Sequence, residues 1–264
     1  MEDIIRNLLS KCRTAEEKTN HLREFLQIVI LRELSDKGYF RNLSFVGGTA
    51  LRFLFGLRRF SEDLDFSLFM KKPYKFDKLC LDLQRGLANY GFDIEVKKKD
   101  QKTVQSMDIK FKNLLYALGL SSIRSHKLYI RLEIDTHPPH GWKTQISVIN
   151  RTFIFTVTHF DLASLYALKL HACFYRKYTK GRDFYDLIWY LGKKLEPNYV
   201  LLNNAVKQTQ GKNPHINAKN FKDFLADKLA DVAFPKIRKD VERFLEDKTE
   251  LRLFDRKLIL GMLD

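Results

Sequence analysis

The stretch FVGGTALRFLFGLRRFSEDLDF, residues 45–66, decides how the rest of the chain is read. Leu43–Val46 is a short apolar run suited to a buried strand, Gly47 and Gly48 follow it, and Thr49–Phe55 has the pattern of a helix. The segment LDFSLF then reads as a second strand. Side chains alternate along a strand, so Asp63 and Asp65 face one way while Leu64 and Phe66 face the core. Unpaired charges in so apolar a segment are costly, which points to a use for them. Two such carboxylates suit hard divalent cations, and these bridge phosphate oxygens. The glycines supply the other half: backbone N–H groups there can approach a phosphate, the helix N-terminus adds partial positive charge, and the Thr49 hydroxyl is an N-cap or a phosphate donor. A Gly-Gly pair alone is often a turn needing positive φ, and a lone Asp-x-Asp is often solvated strand-edge charge. Their combination at this spacing is far more specific.

Around this stretch the organisation follows from period and punctuation. Residues 14–36 read as one amphipathic helix ended by Gly38, and Phe76 to Tyr90 as another ended by Gly91. Period-two alternation then marks three strands, through Phe92, Ile94 and Val96, through Met107, Ile109 and Phe111, and through Leu128, Ile130, Leu132 and Ile134. From Phe160 the pattern is helical to the end, with Pro197, Pro214 and Pro235 between the later helices. The expected architecture is therefore α+β: a domain over 1–158 with N-terminal helices and a mixed sheet, then a mainly helical domain over 159–264.

The chain has 264 residues, 47 Lys and Arg against 32 Asp and Glu, and a net charge of +15, which favours a polyanionic partner. The excess is uneven. Residues 1–70 hold 11 basic and 10 acidic groups, residues 71–140 hold 14 and 8, and residues 141–264 hold 22 and 14. Basicity thus lies outside the motif region. Cys12, Cys80 and Cys173 are an odd set without metal spacing, so a reduced, cytoplasmic compartment is the simplest reading. The N-terminus MEDIIRNLLSKCR has no secretory pattern, and the apolar run Phe25–Leu31 is far short of the roughly 20 residues a bilayer requires.

The run GGTALRFLFGLRRFSEDLDF resembles the first motif of the AbiEii family of toxin nucleotidyltransferases, a branch of the DNA polymerase β-like nucleotidyltransferase superfamily. LKLHACFYRKYTKGRDFYDL, residues 168–187, is similar to that family's later Lys, Arg and Arg-Asp-x-x-Asp motif. The resemblance implies the polymerase β-like fold and transfer of a nucleotidyl group from a nucleoside triphosphate to a hydroxyl, with Asp63, Asp65 and a third strand-borne acid holding two Mg²⁺ ions. The strand KLYIRLEIDT offers Glu133, flanked by Leu132 and Ile134 as in the family pattern, and Asp135 on the same face as the alternative. Either acid could instead pair with Arg131 or Lys127. Many superfamily members carry Gly-Ser where this chain has Gly47 and Gly48, leaving Thr49, backbone N–H groups or Ser61 to meet the triphosphate.

By helical spacing Lys169, Cys173 and Arg176 share a face. By resemblance Lys169 contacts phosphate, and Arg182, Asp183 and Asp186 bind or order the nucleotide. First-turn acids also suit a helix dipole, which alone would explain Asp183. The resemblance further implies the 3′ end of a tRNA as acceptor, growth arrest as the outcome, and a cognate antitoxin, usually a winged-helix repressor. Two other readings stand beside it: the same chemistry on a small molecule or protein hydroxyl, and a non-catalytic nucleic-acid-binding module of the same fold.

Overall fold

The computed structural model describes residues 1–263. The chain divides into two compact units. The first holds Met1–Leu54, Ser61–His137 and Ile146–His159, and the second holds Phe55–Phe60, Pro138–Gln145 and Phe160–Asp264.

The first unit opens with α1 (Glu2–Ser10) and α2 (Ala15–Asp36). α2 begins at a capped end: the Thr14 hydroxyl accepts from Glu17 N at 3.1 Å, and the Glu17 carboxylate takes the Arg13 N–H at 2.8 Å. Its apolar face, including Leu22, Phe25, Leu26, Val29 and Ile30, is fully buried. β1 (Leu43–Val46) runs straight into α3 (Gly47–Phe55), so the two glycines are the first residues of the helix. β2 (Leu64–Leu68) returns antiparallel to β1. α4 (Phe76–Asn89) leads into the long hairpin of β3 (Ile94–Asp100) and β4 (Val104–Phe111), and the short α5 (Leu114–Ala117) precedes β5 (Leu128–Asp135).

β6 (Thr144–Asn150) and β7 (Ile154–Phe160) complete a seven-stranded sheet in the order β3-β4-β5-β2-β1-β7-β6. The sheet is mixed: β2 pairs parallel with β5 and β1 parallel with β7, while β3, β4 and β5 are antiparallel neighbours. Its apolar side, with Leu64, Phe66, Met107, Ile109, Ile130, Leu132 and Ile134, joins one core with α2 and α4. The alternation in β5 is complete: even-numbered residues are buried and odd-numbered ones half-exposed. Sequence reading marked three strands in the region after α4 and missed β6 and β7.

The second unit contains α6 (Leu162–Tyr175), α7 (Gly181–Gly192), α8 (Tyr199–Gln210), α9 (Phe221–Ala230), α10 (Phe234–Val241) and α11 (Arg256–Gly261). Its core includes the stacked rings of Tyr166 and Tyr190, with centroids 4.2 Å apart. α7 and α10 approach so closely at Gly181 that a Cβ there would lie 3.1 Å from the Ile237 carbonyl carbon, and Gly181 N donates to Asp240 at 2.6 Å. A single boundary near 158 would leave 55–60 and 138–145 with the first unit. Contacts group them with the second: Phe60 N donates to Phe244 O at 2.8 Å, Asn198 Nδ2 donates to Gly141 O at 2.7 Å, and Trp142 stacks on Phe160. Among the described residues, no helix is long and apolar enough to cross a membrane.

Candidate active site

Gly47 stands at φ +79°, in the left-handed region that a side chain disfavours. A Cβ there would lie 2.9 Å from both Cβ and Cγ of Asp65, and closer still to a carboxylate oxygen. The first glycine therefore does two things: it turns β1 into α3, and it makes room for the Asp65 carboxylate beside the helix start. Asp65 is the Cα partner of Val46 on one side and of Glu133 on the other. Directly opposed residues on paired strands point the same way, so Asp65 and Glu133 share the accessible face of the sheet.

Asp63 lies one residue before β2 begins, not within the strand as its spacing suggests. Its main-chain carbonyl is held by the Thr49 hydroxyl. Thr49 is fully buried, and a hydroxyl has one proton to give, so this bond leaves it none for a phosphate. Ser61 is buried too, and its carbonyl accepts from Gln27 Nε2 at 3.0 Å. α3 is fixed from beneath by a buried ion pair, Arg52 with Glu24 of α2, whose second contact is 3.2 Å. Gly48 is buried in the first turn of α3. What this end of α3 can offer a phosphate is backbone: its N-terminal N–H groups and their dipole.

Glu133 and Asp135 differ in their surroundings. The Glu133 side chain is 42% exposed, with Arg131 Nη1 at 3.7 Å. Asp135 pairs with Ser67, is more deeply set, and takes the His137 N–H at 2.9 Å. Burial raises its carboxyl above the usual range despite that hydrogen bond. Glu133, beside Asp65, is thus the better placed of the two. An all-carboxylate set fits a hard divalent cation. Among the described residues, a thiol, a carboxylate and an imidazole come within 4.8 Å of one another at Cys12, Glu17 and His21, while Asp63, Asp65 and Glu133 form no such close group. The Cys12 group needs no ion to account for it, since Glu17 already serves the cap of α2.

The second motif lies in the second unit and forms a buried charge network. Lys169 Nζ meets Asp183 Oδ1 at 2.7 Å and Asp186 Oδ2 at 2.8 Å, and its side chain is 10% exposed. Asp186 is fully buried and also accepts from Arg59 Nε at 2.6 Å and Nη2 at 2.7 Å, a two-pronged pairing. Asp183 accepts from Arg176 Nη1 at 2.9 Å. Burial alone would lower the Lys169 ammonium, but Asp183 and Asp186 outweigh it and hold it above its ordinary value. Burial likewise opposes ionisation of Asp183, yet Lys169 and Arg176 bring it down to about 2. Lys169, expected to face phosphate, spends two of its three N–H bonds inside this network. α6 ends at Tyr175, so Arg176 leaves the helix on which its spacing had put it and reaches Asp183 from the following turn. Arg182 stacks its guanidinium over Phe244, 4.5 Å from the ring centre. Arg59 was not foreseen from the sequence; its one signal is its place two residues before Ser61.

The model of the AbiEii family, described as the nucleotidyl transferase AbiEii toxin of a type IV toxin–antitoxin system, matches residues 29–258. The chain belongs to that family. It is accordingly a nucleotidyltransferase of the toxin class, with a nucleoside triphosphate as substrate and an antitoxin as its counterpart. Two solved structures are similar to this AbiEii protein. One is JHP933 from Helicobacter pylori, 24% identical, covering 92% of this chain and 93% of that one at a TM-score of 0.48. The other is an H. pylori protein classed as a nucleotidyltransferase, also 24% identical, covering 91% and 94% at a TM-score of 0.47. No curated protein matches.

Proposed function

We propose that this AbiEii protein transfers a nucleotidyl group from a nucleoside triphosphate to the 3′-terminal hydroxyl of an RNA, with tRNA as the favoured acceptor, and does so with magnesium held by Asp63, Asp65 and Glu133. The observation that carries the reading is the register Asp65↔Glu133 on adjacent parallel strands, directly beside the left-handed glycine that opens α3. Carboxylates and helix N-terminus then serve the two ends of one substrate. The acceptor oxygen attacks the α-phosphorus, a new O–P bond forms, the bond to the β-phosphate bridging oxygen breaks, and pyrophosphate departs with that electron pair. The hydroxyl proton leaves to a carboxylate or to water. Magnesium, two ions by family resemblance, supplies charge neutralisation on the phosphoryl oxygens and a more acidic attacking hydroxyl.

The α3 backbone N–H groups orient the leaving phosphates, a role that the burial of Thr49 and Ser61 shifts away from hydroxyls. The net charge of +15 supports a polyanionic acceptor over a small molecule. Growth arrest is the expected consequence in a cell lacking the antitoxin, for which a winged-helix repressor is the expected type. The test is incubation with radiolabelled nucleoside triphosphates, magnesium and total RNA, beside Asp63→Ala. Label entering tRNA with the wild type alone supports the reading. Label on no acceptor, or equal labelling by the variant, refutes it.

A further inference from the structure

The strand register extends the catalytic row across the sheet. Asp65 pairs with Glu133, Glu133 with Ser106 of β4, and Ser106 with Lys99 of β3. One row lower, Arg131 pairs with Asp108 and Asp108 with Lys97. Lys97 and Lys99 therefore project on the same face as Asp65 and Glu133, three strand spacings of about 4.8 Å away, or roughly 14 Å. Lys98, between them, points to the other face, where it pairs with Asp77 of α4.

The charges on the accessible face are unequally engaged. Arg131 is taken up by Asp108 at 2.8 Å and by Glu133, and Lys110 and Lys127 by Glu95. Asp108 also accepts a hydrogen bond from the Tyr129 hydroxyl at 2.6 Å. Lys97 and Lys99 are exposed, and neither has an ion-pair partner among the described residues. Two exposed cations thus stand along β3, at the end of the sheet. A polyanion lying across β3, β4 and β5 would meet them before its end reached Asp65.

We propose that Lys97 and Lys99 hold backbone phosphates of the acceptor RNA strand, a few nucleotides back from the 3′ hydroxyl delivered to Asp65 and Glu133. The assignment rests on the reading that the acceptor is RNA. It also gives a direction: the strand enters over β3 and runs across β4 and β5 toward β2. Side-chain alternation supplies a sharp control, because neutralising 97 and 99 removes the same charge as neutralising 98 and Lys78, whose partners Asp77 and Asp82 lie on the helix side.

The experiment compares wild type, Lys97→Gln/Lys99→Gln and Lys78→Gln/Lys98→Gln, all checked by thermal melting. The probe is a labelled RNA hairpin with a single-stranded 3′ tail, titrated over a KCl series without nucleotide. At about 0.7 per phosphate contact, the first variant should lose about 1.4 from the slope of log affinity against log salt, and bind about 25-fold more weakly in roughly 0.1 M salt. In transfer assays its KM for RNA should rise while the KM for the nucleoside triphosphate stays unchanged, and the second variant should match wild type. An unaltered slope in the first variant, or equal losses in both, overturns the surface assignment while leaving RNA as acceptor. A wild type that binds the probe without salt dependence removes the RNA reading, and this surface with it.

Discussion

Lys169 is where a family-derived role and the observed contacts diverge most, and Lys169→Met separates them. Methionine keeps the length and apolar stem of the side chain and removes the ammonium. The substitution leaves Asp183 and Asp186 with carboxylates 6% and 0% exposed and one fewer cation between them. An uncompensated buried charge costs about 3–5 kcal/mol. Here Asp186 retains both contacts from Arg59 and Asp183 retains Arg176, so neither acid is stranded. The lost pair of charge-assisted hydrogen bonds, about 1.5–3 kcal/mol each, is partly offset by no longer burying an ammonium, and a net loss of about 3 kcal/mol is expected. That corresponds to a fall in Tm of roughly 6–12 °C. Urea unfolding of Lys169→Met, Asp183→Asn and the double variant measures it, with a coupling of about 1–2 kcal/mol expected between the two positions. A Lys169→Met protein as stable as wild type that has lost affinity for nucleoside triphosphate would refute this reasoning and return Lys169 to the phosphates.

Gly47→Ala should cost activity out of proportion to its size: the left-handed φ costs about 1–2 kcal/mol, and the new methyl must displace the Asp65 carboxylate, so at least a hundredfold fall in transfer is expected in a protein that still melts cooperatively. Thr49→Val removes the hydroxyl that holds the Asp63 carbonyl and should destabilise by about 1–3 kcal/mol, while Thr49→Ser restores most of the loss; a Val variant as stable as wild type but with a raised KM for nucleoside triphosphate would make Thr49 a phosphate donor instead. Asp183 gives a pH signature. Its folded-state carboxyl is held at about 2, below its unfolded value near 4, so its contribution is fully present above about pH 4 and is lost as pH falls toward 2. The size is about 2 kcal/mol, and Asp183→Asn should flatten that window in denaturant titrations.

Most of the fold was legible where burial imposed a period. β1, the helix opened by the double glycine, the strand after Asp63 and the alternating β5 all stand within a residue or two of the expected bounds, because one face of each meets a core. β6 was not legible, and for a physical reason: Ile146 and Val148 are exposed aliphatics while Ile149 is buried, so apolar residues fall on both faces and the period is lost. β7 does carry the period, with Phe155, Val157 and His159 buried and Thr156 exposed between them, and it was missed all the same. The pairing of Asp65 with Glu133 joins two strands far apart in sequence; only resemblance nominated the third acid, and register then put it beside Asp65. Arg59 and Asp186 are 127 residues apart, and no local pattern can announce such a contact.

Four acids stand out in the two motifs with Glu133 beside them, and their surroundings sort them into two kinds. Asp183 and Asp186 are buried among Lys169, Arg176 and Arg59, their charge already neutralised by fixed cations. A divalent ion could bind them only by expelling an ammonium or a two-pronged guanidinium, at the cost of leaving that cation buried and unpaired. Asp65 and Glu133 are partly accessible, and the neighbouring guanidinium of Arg131 is shared with Asp108 at a shorter distance. Glu133 meets Arg131 at 3.7 Å, a looser contact than the 2.6, 2.7 and 2.8 Å pairings that enclose Asp186. On the proposed reading the same residue type is scaffold in the Arg-Asp-x-x-Asp motif, where fixed cations enclose it, and ligand in the Asp-x-Asp motif. On that reading the catalytic carboxylates are those on the sheet face of the first unit, while the ion pairs of the second motif join α6, α7 and the segment that carries Arg59.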